Sequence, residues 1–61
     1  MQHNVALVDD HHLMRSGLVA AVNALDGFRV TLEAGNGKEF IDLLSDTSAG
    51  DRPAIAIVDL N

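Results

Sequence analysis

Near its N-terminus the chain reads Val5-Ala6-Leu7-Val8-Asp9-Asp10, four apolar residues that end on two carboxylates. A second apolar run, Ala54–Val58, ends directly on Asp59. Continuous apolar runs of this length are typical of strands that are buried on both faces of a parallel sheet. We therefore expect two strands at the centre of one sheet, each ending on aspartate.

The segment after the first run has helical spacing. Its apolar residues recur at intervals of three and four, so we expect the resulting stripe to pack on the sheet. Gly27 stands where a left-handed C-terminal cap would end the helix. Next, Phe28–Ala34 alternates apolar and polar residues, which predicts a strand with one buried face at the sheet edge. The members of the stripe are Met14, Leu18, Ala21, Val22 and Leu25.

A second helix is predicted over Lys38–Ser45. The preceding Gly35–Gly37 indicates a turn, in which Asn36 is a candidate N-cap. This turn lacks the lysine of a P-loop and the glycine spacing of a dinucleotide site, which disfavours a nucleotide-binding α/β enzyme. After a polar loop at 46–52, Pro53 stands where a strand can begin without losing a ladder hydrogen bond.

The predicted order is therefore β-α-β-α-β, which indicates an α/β fold with a parallel sheet and right-handed crossovers. We expect the strand that ends at Asp59 to lie beside the strand that ends at Asp9 and Asp10. The carboxyl ends of adjacent strands are where ligands bind in open α/β sheets. Three carboxylates would then meet at that edge.

Three carboxylates at close range repel one another, and a hard divalent cation relieves the repulsion. Mg²⁺ prefers oxygen ligands, and a carboxylate can act as a nucleophile that accepts a phosphoryl group. A simpler interpretation is that each aspartate forms a turn or caps a helix, with Asp10 capping the first helix. That interpretation does not explain why two central strands of one sheet both end on aspartate.

Composition excludes several classes of function. The net charge is −5, and the four basic residues are scattered, which opposes direct contact of this segment with nucleic acid. Two aromatic residues are too few for a base-stacking platform, and the absence of cysteine excludes disulfides and thiolate zinc sites. No apolar run is long enough to span a membrane, and the N-terminus lacks a signal-peptide pattern, so we expect a cytoplasmic chain.

His11 and His12 follow the two aspartates and raise the question of a transition-metal site. Adjacent side chains do not share a helix face, so joint ligation by both histidines is disfavoured and solvated histidines at the helix start are expected. The remaining aspartates of the second half are interpreted as solvated charges. They are Asp42, Asp46 and Asp51.

Three short motifs, taken in order, resemble the receiver domains of response regulators. They are Val5–Asp10 followed by His11, the pattern Glu33-Ala34-x-Asn36-Gly37-x-Glu39, and Ile57-Val58-Asp59-Leu60-Asn61. The stretch Asp9–Leu18 is most similar to receivers of the NarL/FixJ type. The resemblance identifies residues 1–61 as the N-terminal portion of such a domain. It implies a flavodoxin-like, doubly wound parallel sheet that is truncated after the third strand.

The resemblance also implies roles for individual residues. Asp59 matches the phosphoacceptor, which receives its phosphoryl group from a sensor histidine kinase. Asp9 and Asp10 match the acidic pair that holds Mg²⁺ together with Asp59 and the main-chain carbonyl of Asn61. Such a protein is a phosphoacceptor rather than an enzyme.

Regulators of this type commonly carry a DNA-binding output domain, so the resemblance implies that a domain outside this chain regulates transcription. It also implies that a homodimer is one assembly to expect. An alternative remains open, in which the chain is a non-catalytic, receiver-like fragment that acts only as an association module. The strand that bears Asp59 would then have an unpaired edge available to another chain.

Overall fold

A computed structural model of the chain describes residues 2–59. It contains three strands and two α-helices, and a short 3₁₀ turn precedes the last strand. The elements are β1 (His3–Asp9), α1 (His12–Asn23), β2 (Phe28–Ala34), α2 (Gly37–Ser45), the 3₁₀ turn (Ala49–Asp51) and β3 (Ile55–Asp59).

The three strands form one parallel sheet in the order β2-β1-β3. The two α-helices connect successive strands, so the element order is β-α-β-α-β as predicted. This arrangement matches a flavodoxin-like sheet truncated after its third strand, and the predicted fold class is confirmed. β2 has the predicted bounds and lies at the sheet edge, with its alternate side chains Leu32 and Ala34 buried.

The core is built around β1. Each of Val5–Val8 is at most 2% exposed, because β1 is the central strand and α1 packs against it. Side chains from α1 and β2 complete the apolar core, namely Val22, Leu32 and Ala34. α1 packs against β1 and β2, and α2 packs against β2.

β3 differs from its prediction. It lies beside β1, as expected, but all five of its residues are exposed, with Ile57 at 40% and Val58 at 51%. The prediction of a strand buried at the sheet centre is therefore wrong for the part of the chain that the structure describes. The physical reason is that no strand within residues 2–59 pairs with its outer edge, and the helices pack mainly against the other two strands.

The apolar stripe of α1 packs on the sheet only in part. Val22 is buried and Leu18 is half-buried, whereas Met14 and Leu25 are more than half exposed. Ala21 is also exposed, so the prediction that the whole stripe packs on the sheet is wrong. The described sheet covers only part of the helix and leaves both ends of the stripe in solvent.

Two predictions about turns have different outcomes. Gly27 has the expected positive φ of 87°, but α1 already ends at the C-cap Ala24. Gly27 is instead the third residue of a turn in which the Phe28 N–H donates to the Leu25 carbonyl, a position where a type II turn needs positive φ. The prediction that Gly27 caps the helix is therefore wrong, whereas the prediction that it has a left-handed backbone conformation is confirmed.

The turn before α2 is as predicted. Asn36 is the N-cap, and its side-chain oxygen accepts the Glu39 N–H at 2.8 Å. The Glu39 carboxylate in return accepts the Gly35 N–H at 3.2 Å, so side chain and backbone satisfy each other as in a capping box. The segment is thus a helix start and not a phosphate loop. Neither α-helix within residues 2–59 has the length and apolarity needed to cross a membrane.

Candidate acidic site at the carboxyl ends of β1 and β3

Asp9 is the last residue of β1 and is 1% exposed. One of its carboxylate oxygens, Oδ1, accepts the His11 N–H at 2.9 Å, a local contact typical of an aspartate that forms a turn. The other oxygen, Oδ2, is buried and has no hydrogen-bond partner among the described residues. The turn-forming interpretation therefore accounts for one oxygen of Asp9 and leaves the second unexplained.

Asp10 follows in the bend between β1 and α1, and its side chain is 58% exposed. The helix begins at His12 with His11 as its N-cap, and that cap makes no side-chain hydrogen bond. The interpretation of Asp10 as the cap of the first helix is therefore wrong. Its carboxylate lies close to Asp9 and His11 instead.

Asp59 is the last residue of β3 and is exposed. In the parallel register between β1 and β3, Asp59 is the direct partner of Asp9. The prediction that two neighbouring strands end side by side on aspartate is confirmed. Asp59 lies outside the tight ligand group that Asp9 and Asp10 form with His11, and its role as phosphoacceptor stays a prediction. Asn61, the fourth predicted ligand, lies outside the described residues.

His11 joins the two aspartates, which the sequence interpretation did not expect. Its Nδ1 lies 2.9 Å from Oδ1 of Asp10 and 3.4 Å from Oδ1 of Asp9. One ligand atom from each of the three residues lies within 4.8 Å of the others, and His12 is not part of this group. His12 remains an exposed residue at the helix start, as predicted.

Arg15 fixes the position of β1's carboxyl end and was not predicted to do so. Its Nη1 donates to the main-chain carbonyl of Asp9 at 2.7 Å, and its Nε lies 3.3 Å from a carboxylate oxygen of Glu33 on β2. The Nε contact has ion-pair distance but not hydrogen-bond geometry. One signal in the sequence could have drawn attention to Arg15, because it is the only arginine or lysine in α1.

The other aspartates of the second half do not belong to this ligand group. Asp42, Asp46 and Asp51 are exposed, as predicted for solvated charges. Asp51 accepts a hydrogen bond from the Ser48 hydroxyl at 2.8 Å, which explains its place in the 3₁₀ turn. The acidic site therefore consists of Asp9, Asp10 and His11, with Asp59 next to it on β3.

Comparison with known proteins relates the chain to a response regulator by sequence. Over 57 residues, which are 93% of the chain, it is 40% identical to the nitrate/nitrite response regulator protein homolog of Haemophilus influenzae. This likeness supports a response-regulator identity. The aligned residues make up 26% of that relative, so the chain spans about a quarter of the length of the curated relative it matches. No protein-family model and no solved structure matches the chain.

Proposed function

We propose that this chain is the phosphoryl-accepting part of a two-component response regulator, with Asp59 as the acceptor. The observation that carries the proposal is the register that makes Asp59 the neighbour of Asp9 at the carboxyl ends of two parallel strands. The similarity to a response regulator supports it independently. A response regulator is a signalling protein rather than a classical enzyme, and its phosphoryl donor is a sensor histidine kinase.

Asp59 suits the acceptor role because it is exposed, whereas Asp9 is buried. In the transfer, a carboxylate oxygen of Asp59 forms a bond to phosphorus while the nitrogen–phosphorus bond of the kinase's phosphohistidine breaks. The imidazole leaves with the electron pair of that bond and takes up a proton. Carboxylates are known to form aspartyl phosphates in this manner. Positioning and charge neutralisation supply most of the catalysis of such transfers.

The residues at this edge fit a Mg²⁺ ion. Asp9 and Asp10 supply carboxylate oxygens, the ligands that Mg²⁺ prefers, and the unpartnered Oδ2 of Asp9 is a buried acceptor that a cation would satisfy. We propose Asp9, Asp10, Asp59 and the main-chain carbonyl of Asn61 as the residues that hold it. When bound, the cation would neutralise the negative charge of the phosphoryl group beside the acidic pair.

The protein's own contribution is to hold Asp9, the buried member of the acidic pair, in place. The His11 N–H fixes one oxygen of Asp9, and Arg15 fixes its main-chain carbonyl. Because Val5–Asp9 of β1 are buried, these contacts hold Asp9 on a rigid part of the strand while the acceptor on β3 stays accessible. A fixed carboxylate beside an accessible acceptor supports phosphoryl acceptance, because such transfers depend on positioning and charge neutralisation.

The output of the signal belongs to another part of the protein. Since the chain spans about a quarter of its relative, we propose a separate output domain that binds DNA and regulates transcription. The charge of −5 disfavours DNA contact by this segment itself. We further propose that the whole protein is cytoplasmic and forms a homodimer.

A second candidate function is association alone. β3 exposes Ile55, Ile57 and Val58 and leaves its outer edge without a strand partner among residues 2–59. Such an edge can pair with a strand of another chain. Sedimentation equilibrium tests this candidate, because a stable, folded monomer across the accessible concentration range would contradict it.

The phosphoacceptor is tested by intact-mass spectrometry of the purified protein, before and after incubation with acetyl phosphate and Mg²⁺. We expect a gain of one phosphoryl group, which Asp59→Asn abolishes. The matched control is Asp46→Asn, because Asp46 is also exposed but lies at the end of α2, away from the site. A gain that persists in Asp59→Asn, or that Asp46→Asn also removes, would contradict the proposal.

A further inference from the structure

The pair Asn36-Gly37 at the start of α2 is exposed, and no step of the proposed phosphoryl transfer involves it. In such a pair the backbone nitrogen of the glycine can attack the side-chain amide of the asparagine, because glycine has no Cβ that crowds the nitrogen. A Cβ added at Gly37 would meet no heavy atom within 4 Å, so solvent reaches this peptide bond. Sequence and exposure therefore make Asn36 the most reactive asparagine among the described residues.

The reaction open to this pair is deamidation through a cyclic imide. The Gly37 backbone nitrogen, after it has lost its proton to solvent base, attacks Cγ of Asn36 and forms a carbon–nitrogen bond. The Cγ–Nδ2 bond breaks, and the amide nitrogen takes up a proton and leaves as ammonia. Water then adds to one of the two carbonyl carbons of the ring and reopens it, which leaves either aspartate or isoaspartate at position 36.

The contacts that start α2 hold both reacting groups in a geometry that opposes ring closure. The Asn36 side-chain oxygen accepts the Glu39 N–H at 2.8 Å, and its main-chain carbonyl accepts the Phe40 N–H at 3.0 Å. The first bond fixes the side chain that is attacked, and the second fixes the peptide plane that contains the Gly37 nitrogen. With ψ at 171°, Cβ of Asn36 and that nitrogen are staggered about the Cα–C bond, whereas the ring requires them to be nearly eclipsed. Ring closure therefore requires the first turn of α2 to open.

Glu39 adds to this restraint from the other side of Asn36. Its carboxylate accepts the Gly35 N–H at 3.2 Å, so the backbone before the asparagine and the side chain of the asparagine are tied to one residue. Helix ends are among the segments of a native protein that open most often. The rate of deamidation in the folded protein therefore depends on how often the start of α2 opens.

We propose that Asn36-Gly37 is a site of spontaneous deamidation whose rate the contacts with Glu39 hold down in the folded protein. The two products act on α2 in opposite ways. Aspartate caps a helix as well as asparagine does, and it adds a negative charge where the helix dipole favours one. Isoaspartate inserts an additional carbon into the backbone and displaces the cap from the Glu39 N–H. The inference goes beyond the proposed function, because the reaction does not involve Asp59.

The test is prolonged incubation of the purified protein at mildly alkaline pH, followed by peptide mapping with mass spectrometry to quantify aspartate and isoaspartate at each asparagine. In guanidinium chloride that unfolds the chain, we expect Asn36 to convert faster than Asn4 and Asn23, which precede valine and alanine. In the folded protein, conversion at Asn36 should be at least about tenfold slower than in the unfolded chain. Gly37→Ala should remove most of the conversion in both conditions, and the open space at this position accommodates the added methyl group.

Variants of Glu39 test the restraint while the chain is folded. Glu39→Ala removes the acceptor of the Gly35 N–H and should raise the rate at Asn36 at least about twofold, the lower end of the effect of losing a helix cap. Glu39→Gln keeps an oxygen that can accept this N–H and should retain the unaltered rate. The matched control is Lys38→Ala, because Lys38 is the adjacent exposed residue and its side chain is not part of the cap.

Three results would overturn the inference. They are conversion of Asn36 no faster than that of Asn4 and Asn23 in the unfolded chain, equal rates at Asn36 in folded and unfolded protein, and equal rates in Glu39→Ala and Lys38→Ala. The outcome is separable from that of the proposed function, because Asp59→Asn should lose the phosphoryl gain and keep the unaltered rate of deamidation at Asn36.

Discussion

β1 and β3 are nearly the same strand in sequence and opposite in environment. Both are continuous apolar runs that end on aspartate, and in the parallel register Leu7 pairs with Ile57 and Asp9 with Asp59. Leu7 is fully buried whereas Ile57 is 40% exposed. The apolar run therefore specifies a strand, but the elements packed around the strand decide whether it is core.

The same contrast holds for the two aspartates. Asp9 is buried and fixed at its main chain by Arg15, and Asp59 is exposed. A buried carboxylate on a rigid strand suits a ligand that must keep its position. An exposed carboxylate suits an acceptor that another protein must reach. The difference in burial thus separates two chemical roles for one residue type.

The largest effect that we expect from this contrast is on stability. Leu7→Ala should lower the free energy of unfolding by about 2–5 kcal/mol, because it removes fully buried methyl groups and leaves a cavity. Chains of this length are stable by only about 3–9 kcal/mol, so much of the protein would be unfolded. Urea denaturation followed by circular dichroism measures the change.

Its matched control is Ile57→Ala, at the partner position on β3. We expect it to cost about 1 kcal/mol or less, since the side chain is already partly in water. An equal loss in both variants would mean that β3 is as buried in solution as β1 is. In that case the outer face of β3 is covered by another strand or another copy.

The sequence predicted those features that local patterns encode. β2 could be identified with its full bounds, because alternation with a period of two records both the strand and its single buried face. Asn36 could be identified as a cap because its contact with Glu39 spans three residues. Features that depend on distant packing could not be predicted, and the exposure of β3 is the clearest of them.

For the site, too, the sequence predicted what strand order determines and not the contacts that depend on the folded backbone. The adjacency of Asp9 and Asp59 follows from strand order, so the sequence predicted it. His11 was not expected to join Asp9 and Asp10, since the contact depends on how the backbone turns after β1. Arg15 was missed for a related reason, because its partners lie on β1 and β2 and no short spacing in the sequence announces them.

The next largest effect concerns what fixes the end of β1. Arg15→Ala should cost about 2 kcal/mol, because it leaves the buried end of the strand without the donor that satisfies the Asp9 carbonyl. The control is Arg29→Ala, which removes an exposed contact of 3.4 Å to Asn4 and should change stability by less than about 0.5 kcal/mol. Thermal unfolding compares the two variants, and equal losses would mean that Arg15 does not anchor β1.

The smallest effect that we expect is a difference in amide hydrogen exchange between β1 and β3. Each of Val5–Val8 has register partners on both sides, whereas Ile55–Val58 pairs with β1 only. On an edge strand, alternate N–H groups point away from the sheet and exchange through small local openings. We therefore expect the average exchange rate over β3 to exceed that over β1 by at least about tenfold, which corresponds to about 1.4 kcal/mol. Exchange measured residue by residue by NMR separates the alternating amides within β3. Uniform, strong protection along β3 would show that its outer edge is paired in solution, and an unprotected β1 would show that the core is not built around that strand.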